Sequence, residues 1–228
     1  MQKRQAMNRI GLSKEVKLIA GSIHLPGYLT LPKDGLGIVI FAHGSGSSRL
    51  SPRNLQVAQR FNQAGLGTLL FDLLTQEEAL DRENVFNIPF LAHRLVGATE
   101  WIRSQKSIEN LPIGYFGAST GGAAALWAAA DLGDEIAAIV SRGGRPDLAI
   151  PRLKEVKAPT LLIVGGHDEA VIEMNQVALE FLSHGIFQII PGASHLFEEP
   201  GTLEAVAEVS KKWFTRFFRF HLEKRSVA

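Results

Sequence analysis

The stretch Ile113-Gly114-Tyr115-Phe116-Gly117-Ala118-Ser119-Thr120-Gly121-Gly122 decides how this chain is read. Residues 113–116 have the apolar character of a buried strand, and the Ala-rich run through Ala130 reads as a helix. Between them lies Gly-x-Ser-x-Gly in the strand–turn–helix setting that this motif requires. Such an elbow forces the serine backbone into a strained conformation. Side chains two residues to either side of it would collide with neighbouring elements, hence the glycines. The Ser119 hydroxyl then stands at a helix N-terminus, where the helix dipole favours developing negative charge. A glycine-rich turn with a serine cap is the plainer reading of so short a pattern; the flanking strand and helix favour a nucleophile.

Outward from this elbow the chain alternates strands and helices. Downstream, strands are expected at 136–140, 160–164 and 186–190, with helices at 171–182 and from 199 to about 222. Upstream, strands are expected at 38–42 and 67–71, with helices at 54–64 and 89–105. Two further strands, 15–20 and 23–31, meet at Gly21-Ser22 as an antiparallel opening pair. The pattern predicts an α/β fold: a doubly wound, mostly parallel sheet of about eight strands with an antiparallel N-terminal pair. Residues 1–14 read as an N-terminal extension and 15–228 as one domain. The connection 141–159 is too short for a separate lid domain, so an open site is expected.

Sites in such sheets form at the carboxyl ends of strands. There the strand at 160–164 runs into Gly165-Gly166-His167-Asp168, and the strand at 186–190 into Pro191-Gly192-Ala193-Ser194-His195. A serine hydroxyl is a weak nucleophile and needs a base oriented by a third group. Ser119, Asp168 and His195 supply all three, in the chain order Ser, Asp, His. Singly, Asp168 is ordinary turn chemistry and His195 an ordinary surface histidine; the joint pattern is what points to catalysis. Asp72, ending the strand at 67–71, is a less well placed alternative acid.

Acyl transfer also needs two N–H donors aimed at the oxyanion. One is assigned to Thr120 and the other to Ser45, with Gly44 as its alternative, in the loop His43-Gly44-Ser45-Gly46-Ser47-Ser48. His43 is expected to shape that loop through backbone hydrogen bonds. Glycine-rich loops opening helices also bind phosphate, but neither G-x-x-x-x-G-K-[ST] nor G-x-G-x-x-G is present. Arg142 follows the strand at 136–140 and should emerge at the same sheet edge, where a guanidinium could hold a substrate carboxylate or phosphate. Arg49 is a second such candidate. The competing expectation is that Arg142 pairs with Asp147 or Glu169 and shapes the rim.

Bulk properties narrow the partners. With 24 Lys+Arg against 23 Asp+Glu, the chain has no overall field to attract nucleic acid. The absence of cysteine removes disulfides, thiolate metal sites and a cysteine nucleophile, and favours a reducing, cytoplasmic setting. No metal or other cofactor is implied, since no H-E-x-x-H or comparable ligand cluster occurs. The longest apolar helical run, 123–130, is too short for stable membrane insertion. In the last helix Trp213, Phe214, Phe217, Phe218 and Phe220 lie among Lys211, Lys212, Arg216 and Arg219. That stripe reads as aromatics packed on the sheet rather than as a membrane-surface face. Self-association into a homo-oligomer is compatible with all of this.

These landmarks resemble the α/β-hydrolase superfamily, and within it the small, lidless branch around dienelactone hydrolase. The resemblance runs from about residue 15 through nearly the whole chain and rests on His43-Gly44, Gly117 to Gly121, Gly165 to Asp168 and Gly192 to His195. One departure is that dienelactone hydrolase uses a cysteine nucleophile where this chain has Ser119. The resemblance therefore implies a serine hydrolase of carboxylesterase or lactonase type, acting on a small-molecule ester or lactone through an acyl-enzyme. An acyltransferase or perhydrolase on the same residues, or a catalytically idle hydrolase-like binding protein, are the alternatives.

Overall fold

The computed structural model describes residues 10–20 and 23–227. Its strands are β1 (Ile10–Ala20), β2 (Ile23–Pro32), β3 (Ile38–Ala42), β4 (Gly67–Phe71), β5 (Ile113–Ala118), β6 (Ile136–Arg142), β7 (Thr160–Gly165) and β8 (Gly185–Ile190). They form one sheet in the order β1-β2-β4-β3-β5-β6-β7-β8. β2 runs antiparallel to both β1 and β4, and every other pairing is parallel. The longer helices are α1 (Pro52–Gln63), α3 (Ile88–Arg103), α4 (Thr120–Leu132), α6 (Glu169–Leu179) and α7 (Thr202–Val227). Short helices α2 (Arg82–Phe86) and α5 (Ile150–Leu153) complete the set.

The buried central strands divide their side chains between two helical layers. On β3, Ile38, Ile40 and Ala42 face a core shared with Leu91, Leu95, Ala98 and Ile102 of α3 and the alanines of α4. Val39 and Phe41 face the opposite core, with Val57 and Phe61 of α1 and Phe214 and Phe218 of α7. This period-two division explains why β3 reads as an unbroken apolar run: both of its faces are covered. The aromatic stripe of α7 does pack on the sheet through Phe214 and Phe218, while Phe220 stays exposed.

The order of strands also fixes where a ligand can sit. From β3 the chain passes through α1 to β4 on one side, then through α3 across β3 to β5 on the other. Strand order therefore reverses between β3 and β5. A crevice opens outside the carboxyl ends at such a switch point. The two loops that meet there are the His43–Gly44 segment and the Ser119 elbow.

Several boundaries differ from the sequence-based expectation. β1 starts at Ile10, five residues before the expected domain boundary; on this outer strand Leu12, Ser13 and Lys14 are all exposed, so the alternation that marks a half-buried strand is missing there. Its register with β2 runs from Ile10 opposite Pro32 to Ala20 opposite Ile23, and Ser13 shares a 3.1 Å hydroxyl hydrogen bond with Thr30. The Gly21-Ser22 connection lies outside the described residues. β6 extends two residues further than expected, so Ser141 and Arg142 belong to the strand. The helices α2 and α5 escape periodicity analysis because five and four residues are too few to show a helical period.

Phe61 is fully buried and lies edge-on to Phe116 and Phe214, with ring centroids 5.7 and 5.6 Å away. Phe61→Ala should lower the free energy of unfolding by about 3–5 kcal/mol through lost burial and the cavity left behind. Urea denaturation checks this; a loss under about 1 kcal/mol would mean that α1 does not pack as described.

Candidate active site

Ser119 joins β5 to α4 with φ 51° and ψ −124°. A left-handed conformation for a residue with a side chain costs about 1–3 kcal/mol and persists only where the surroundings enforce it. Here a Cβ on Gly117 would meet Gly121 and Gly122, and one on Gly121 would meet the Ala42 and His43 carbonyls. The Ser119 N–H donates to the Arg142 carbonyl at 3.4 Å, and the Arg145 N–H donates to the Ser119 carbonyl at 3.1 Å. Both ends of the strained residue are thus tied to the chain leaving β6.

Asp168 and His195 come from loops following β7 and β8, and backbone hydrogen bonds zip these loops together. The Gly166 N–H donates to Ile190 and the His167 N–H to Ala193, each at 2.9 Å. The imidazole Nδ1–H of His195 donates to Asp168 Oδ2 at 2.6 Å. This bond fixes the tautomer that leaves Nε2 free to accept a proton. Glu199 holds the preceding residue by accepting the Ser194 N–H at 3.0 Å, and hydrogen bonding first to the Ser194 side chain and then to its backbone draws the Glu199 carboxyl below its ordinary range.

Of the expected oxyanion donors, Thr120 is the first residue of α4, so its N–H has no acceptor within the helix. The Ser45 N–H donates at 3.0 Å to the Thr120 side-chain Oγ1, which bridges the two loops. Gly44 lies against the elbow, where a Cβ would come 2.9 Å from Ser119 Cβ. His43 shapes this loop: its Nδ1–H donates to the Gly44 carbonyl at 3.0 Å, and its Nε2 accepts the Leu73 N–H at 3.1 Å. Asp72 is occupied elsewhere, accepting the Arg49 N–H at 2.7 Å and pairing with the Arg49 guanidinium. Arg49 is thereby neutralised, and it also packs over the Tyr28 ring.

Two compartments meet at the Ser45–Thr120 bridge. The larger, about 360 Å³, is walled by Leu50, Leu73, Leu74, Val85 and Leu91, with Arg49 and Asp72 at its edge. The smaller, about 220 Å³, contains Ser119 and His195 together with Ser47, Ser51, Arg53, Asn54 and Arg142. Arg142 lies opposite Ala118 in the β5–β6 register, beside the elbow as expected. Neither expected acid pairs with it: Asp147 makes a two-pronged bond with Arg145 at 2.9 and 2.8 Å instead.

The sequence reading missed Ser51, Arg53 and Asn54. Ser51 caps α1 and Pro52 opens it, so the helix begins two residues earlier than expected and points its N-terminus into the smaller compartment. The Ser-Pro pair is a helix-start signal that could have located this end.

An open, twisted sheet with this strand order and a strand–Ser119–helix elbow at its switch point defines the class: an α/β hydrolase. The chain belongs to the dienelactone hydrolase family, whose sequence model matches residues 25–223. The dienelactone hydrolase from Anabaena variabilis is 55% identical, with a TM-score of 0.88 over 90% of this chain and 98% of that one. A lidless serine hydrolase from Xanthomonas campestris shares the fold at 21% identity and TM-score 0.73, over 90% of this chain and 94% of its own. A Mycobacterium tuberculosis protein provisionally named a phosphoribosyl transferase is 55% identical over 202 residues, 88% of this chain and 46% of that protein. The chain spans about half the length of the curated relatives it matches.

Burial pushes the His43 pKa below its ordinary 6.5, outweighing the Gly44 hydrogen bond and the Asp72 charge, which act the other way. The unfolded chain therefore binds this proton at a higher pH than the folded one, and stability should fall as pH drops below about 6.5. Urea midpoints of the wild type should decline as the pH is lowered from about 6.5 more steeply than those of His43→Gln. Equal slopes would show that His43 does not titrate as its burial dictates.

Proposed function

We propose that this protein is a serine hydrolase that cleaves small carboxylic esters or lactones through an acyl-enzyme on Ser119. The observation that carries this reading is the 2.6 Å Asp168–His195 bond, with His195 lining the same compartment as Ser119, whose backbone is held at φ 51°. Strain of this kind persists only where the surroundings enforce it and clusters at active sites, which supports a chemical role for Ser119.

In the first half-reaction, His195 Nε2 takes the Ser119 proton as Oγ bonds to the carbonyl carbon. The tetrahedral oxyanion accepts hydrogen bonds from the N–H groups of Thr120 and Ser45, the latter exchanging Thr120 Oγ1 for the oxyanion. His195 then gives its proton to the departing alkoxy oxygen as the carbon–oxygen bond breaks. In the second half, water attacks the acyl carbon, losing a proton to His195. The Ser119–carbon bond breaks, the acid leaves, and the proton returns to Ser119. Asp168 orients the imidazole and stabilises its charged form throughout.

The transferase name borne by the mycobacterial relatives belongs to proteins about twice this length, of which this chain matches 46%. Hydrolysis is the activity that this chain's own residues support.

Ser119→Ala and His195→Ala should each reduce kcat on p-nitrophenyl acetate by about 10⁴-fold or more, and the double variant by little more, because the two act as one unit. Multiplicative losses in a folded double variant would contradict shared participation. The short β6–β7 connection leaves the site without a cap, so soluble short-chain esters should be preferred to emulsified long-chain triglyceride; the reverse preference would contradict an open site. Added alcohol or peroxide competing with water would instead identify an acyltransferase or perhydrolase.

A further inference from the structure

Among the described residues, the Arg142 guanidinium is a buried charge without a partner. Its side chain is 6% exposed, yet it makes no hydrogen bond or ion pair with the described residues, and its Nε is fully buried without a partner. Only the Phe197 ring, 5.6 Å from Cζ, offers a compensating contact. Burial and the nearby Arg53 lower its pKa to about 10, which still leaves it charged at neutral pH. An uncompensated buried charge destabilises a fold by several kcal/mol in general.

Its surroundings deepen the imbalance. The N-terminus of α1 opens into the same compartment with no acidic residue in its first turn, and Arg53 occupies that turn. Cations are unfavourable at the positive end of a helix dipole. Arg53 has one partner, Glu198, at 2.9 Å, but that carboxylate is 63% exposed and contributes little through solvent. Among the described residues no aspartate or glutamate lines the compartment, whereas Ser47, Ser51 and the buried Asn54 do. Two guanidiniums, a helix end and two serines around about 220 Å³ form a cradle for a small polyanion.

We infer that this compartment binds a phosphate monoester group, so that the ester cleaved at Ser119 belongs to a phosphorylated substrate. The inference rests on the hydrolase reading for the cleaved bond, but the phosphate itself stays intact. Acceptor count favours phosphate over carboxylate. A phosphate monoester carries about −1.5 to −2 at pH 7 and three acceptor oxygens, enough to engage the unpaired Arg142 and also Arg53, whose partner Glu198 is largely exposed. The apolar compartment beyond the Ser45–Thr120 bridge takes the other end of the molecule.

Binding is measured first without turnover, by titrating inorganic phosphate into Ser119→Ala protein at constant ionic strength. Saturable binding is expected, together with a phosphate-dependent rise in Tm that Arg142→Met abolishes. Without phosphate, Arg142→Met should melt above the wild type, since it removes an unpaired buried charge. Turnover is then compared for monobutyrin, its 3-phosphate and the butyryl ester of glycerate. Arg142→Met should lower kcat/KM for the phosphorylated ester about 30-fold or more beyond its effect on monobutyrin. Phosphate that binds while no ester is cleaved would refute the hydrolase reading and leave the anion site standing. Hydrolysis of monobutyrin with no phosphate binding, equal Arg142→Met effects on all three esters, or a stronger effect on the glycerate ester would overturn this inference.

Discussion

The backbone of Ser119 is the constraint on which the rest of this structure depends. A side-chain-bearing residue at φ 51° needs bare space on both sides, and Gly117 and Gly121 provide it where β5, β3 and α4 converge. The same convergence draws Gly44 against the elbow and places the Ser45–Thr120 hydrogen bond over it. Hydrogen bonds from Ser119 to Arg142 and from Arg145 to Ser119 carry the constraint into β6. One strained turn therefore sets the positions of the proposed nucleophile, the proposed oxyanion donors and the buried arginine. Strand order adds the space, since the reversal between β3 and β5 opens the sheet edge at this point.

Electrostatics then divide the site in two. Arg49 and Asp72 cancel each other beside an apolar chamber, while Arg142 and Arg53 face a polar one in which no acid is present. Such an arrangement lowers the stability of the empty protein and favours an occupied one, because a bound anion supplies what the fold withholds. Rigid support on the opposite side comes from the aromatic cluster of Phe41, Phe61, Phe116 and Phe214, which clamps α1 to the sheet. That clamp also aims the N-terminus of α1 at the polar compartment.

Much of this architecture was legible in the sequence because it is written in strong local signals. Apolar runs covered on both faces gave the central strands, and the glycine spacing around Ser119 gave the elbow. Asp168 and His195 followed from their position just past strands. Weaker signals failed for identifiable reasons. The first half of β1 lies on the outer edge of the sheet, where Leu12, Ser13 and Lys14 are all exposed and show no alternation, and α2 and α5 are shorter than a readable period. The partners of arginines were not legible at all: Arg49 takes Asp72 from 23 residues along, and Arg145, not Arg142, takes Asp147. Pairing of long charged side chains is decided by tertiary geometry that no local pattern encodes. The compartment built by Ser51, Arg53 and Asn54 escaped for a similar reason, since it joins the start of α1 to the end of β6 across 88 to 91 positions of chain.

The central claim is that Ser119 is a nucleophile activated by His195. Its most direct test is covalent: incubate the protein with an alkyl fluorophosphonate and locate the adduct by peptide mass mapping. The account predicts stoichiometric labelling of the peptide bearing Ser119, with labelling lost in Ser119→Ala and strongly slowed in His195→Ala. An unlabelled protein, or label carried on another residue with Ser119 unmodified, would contradict it.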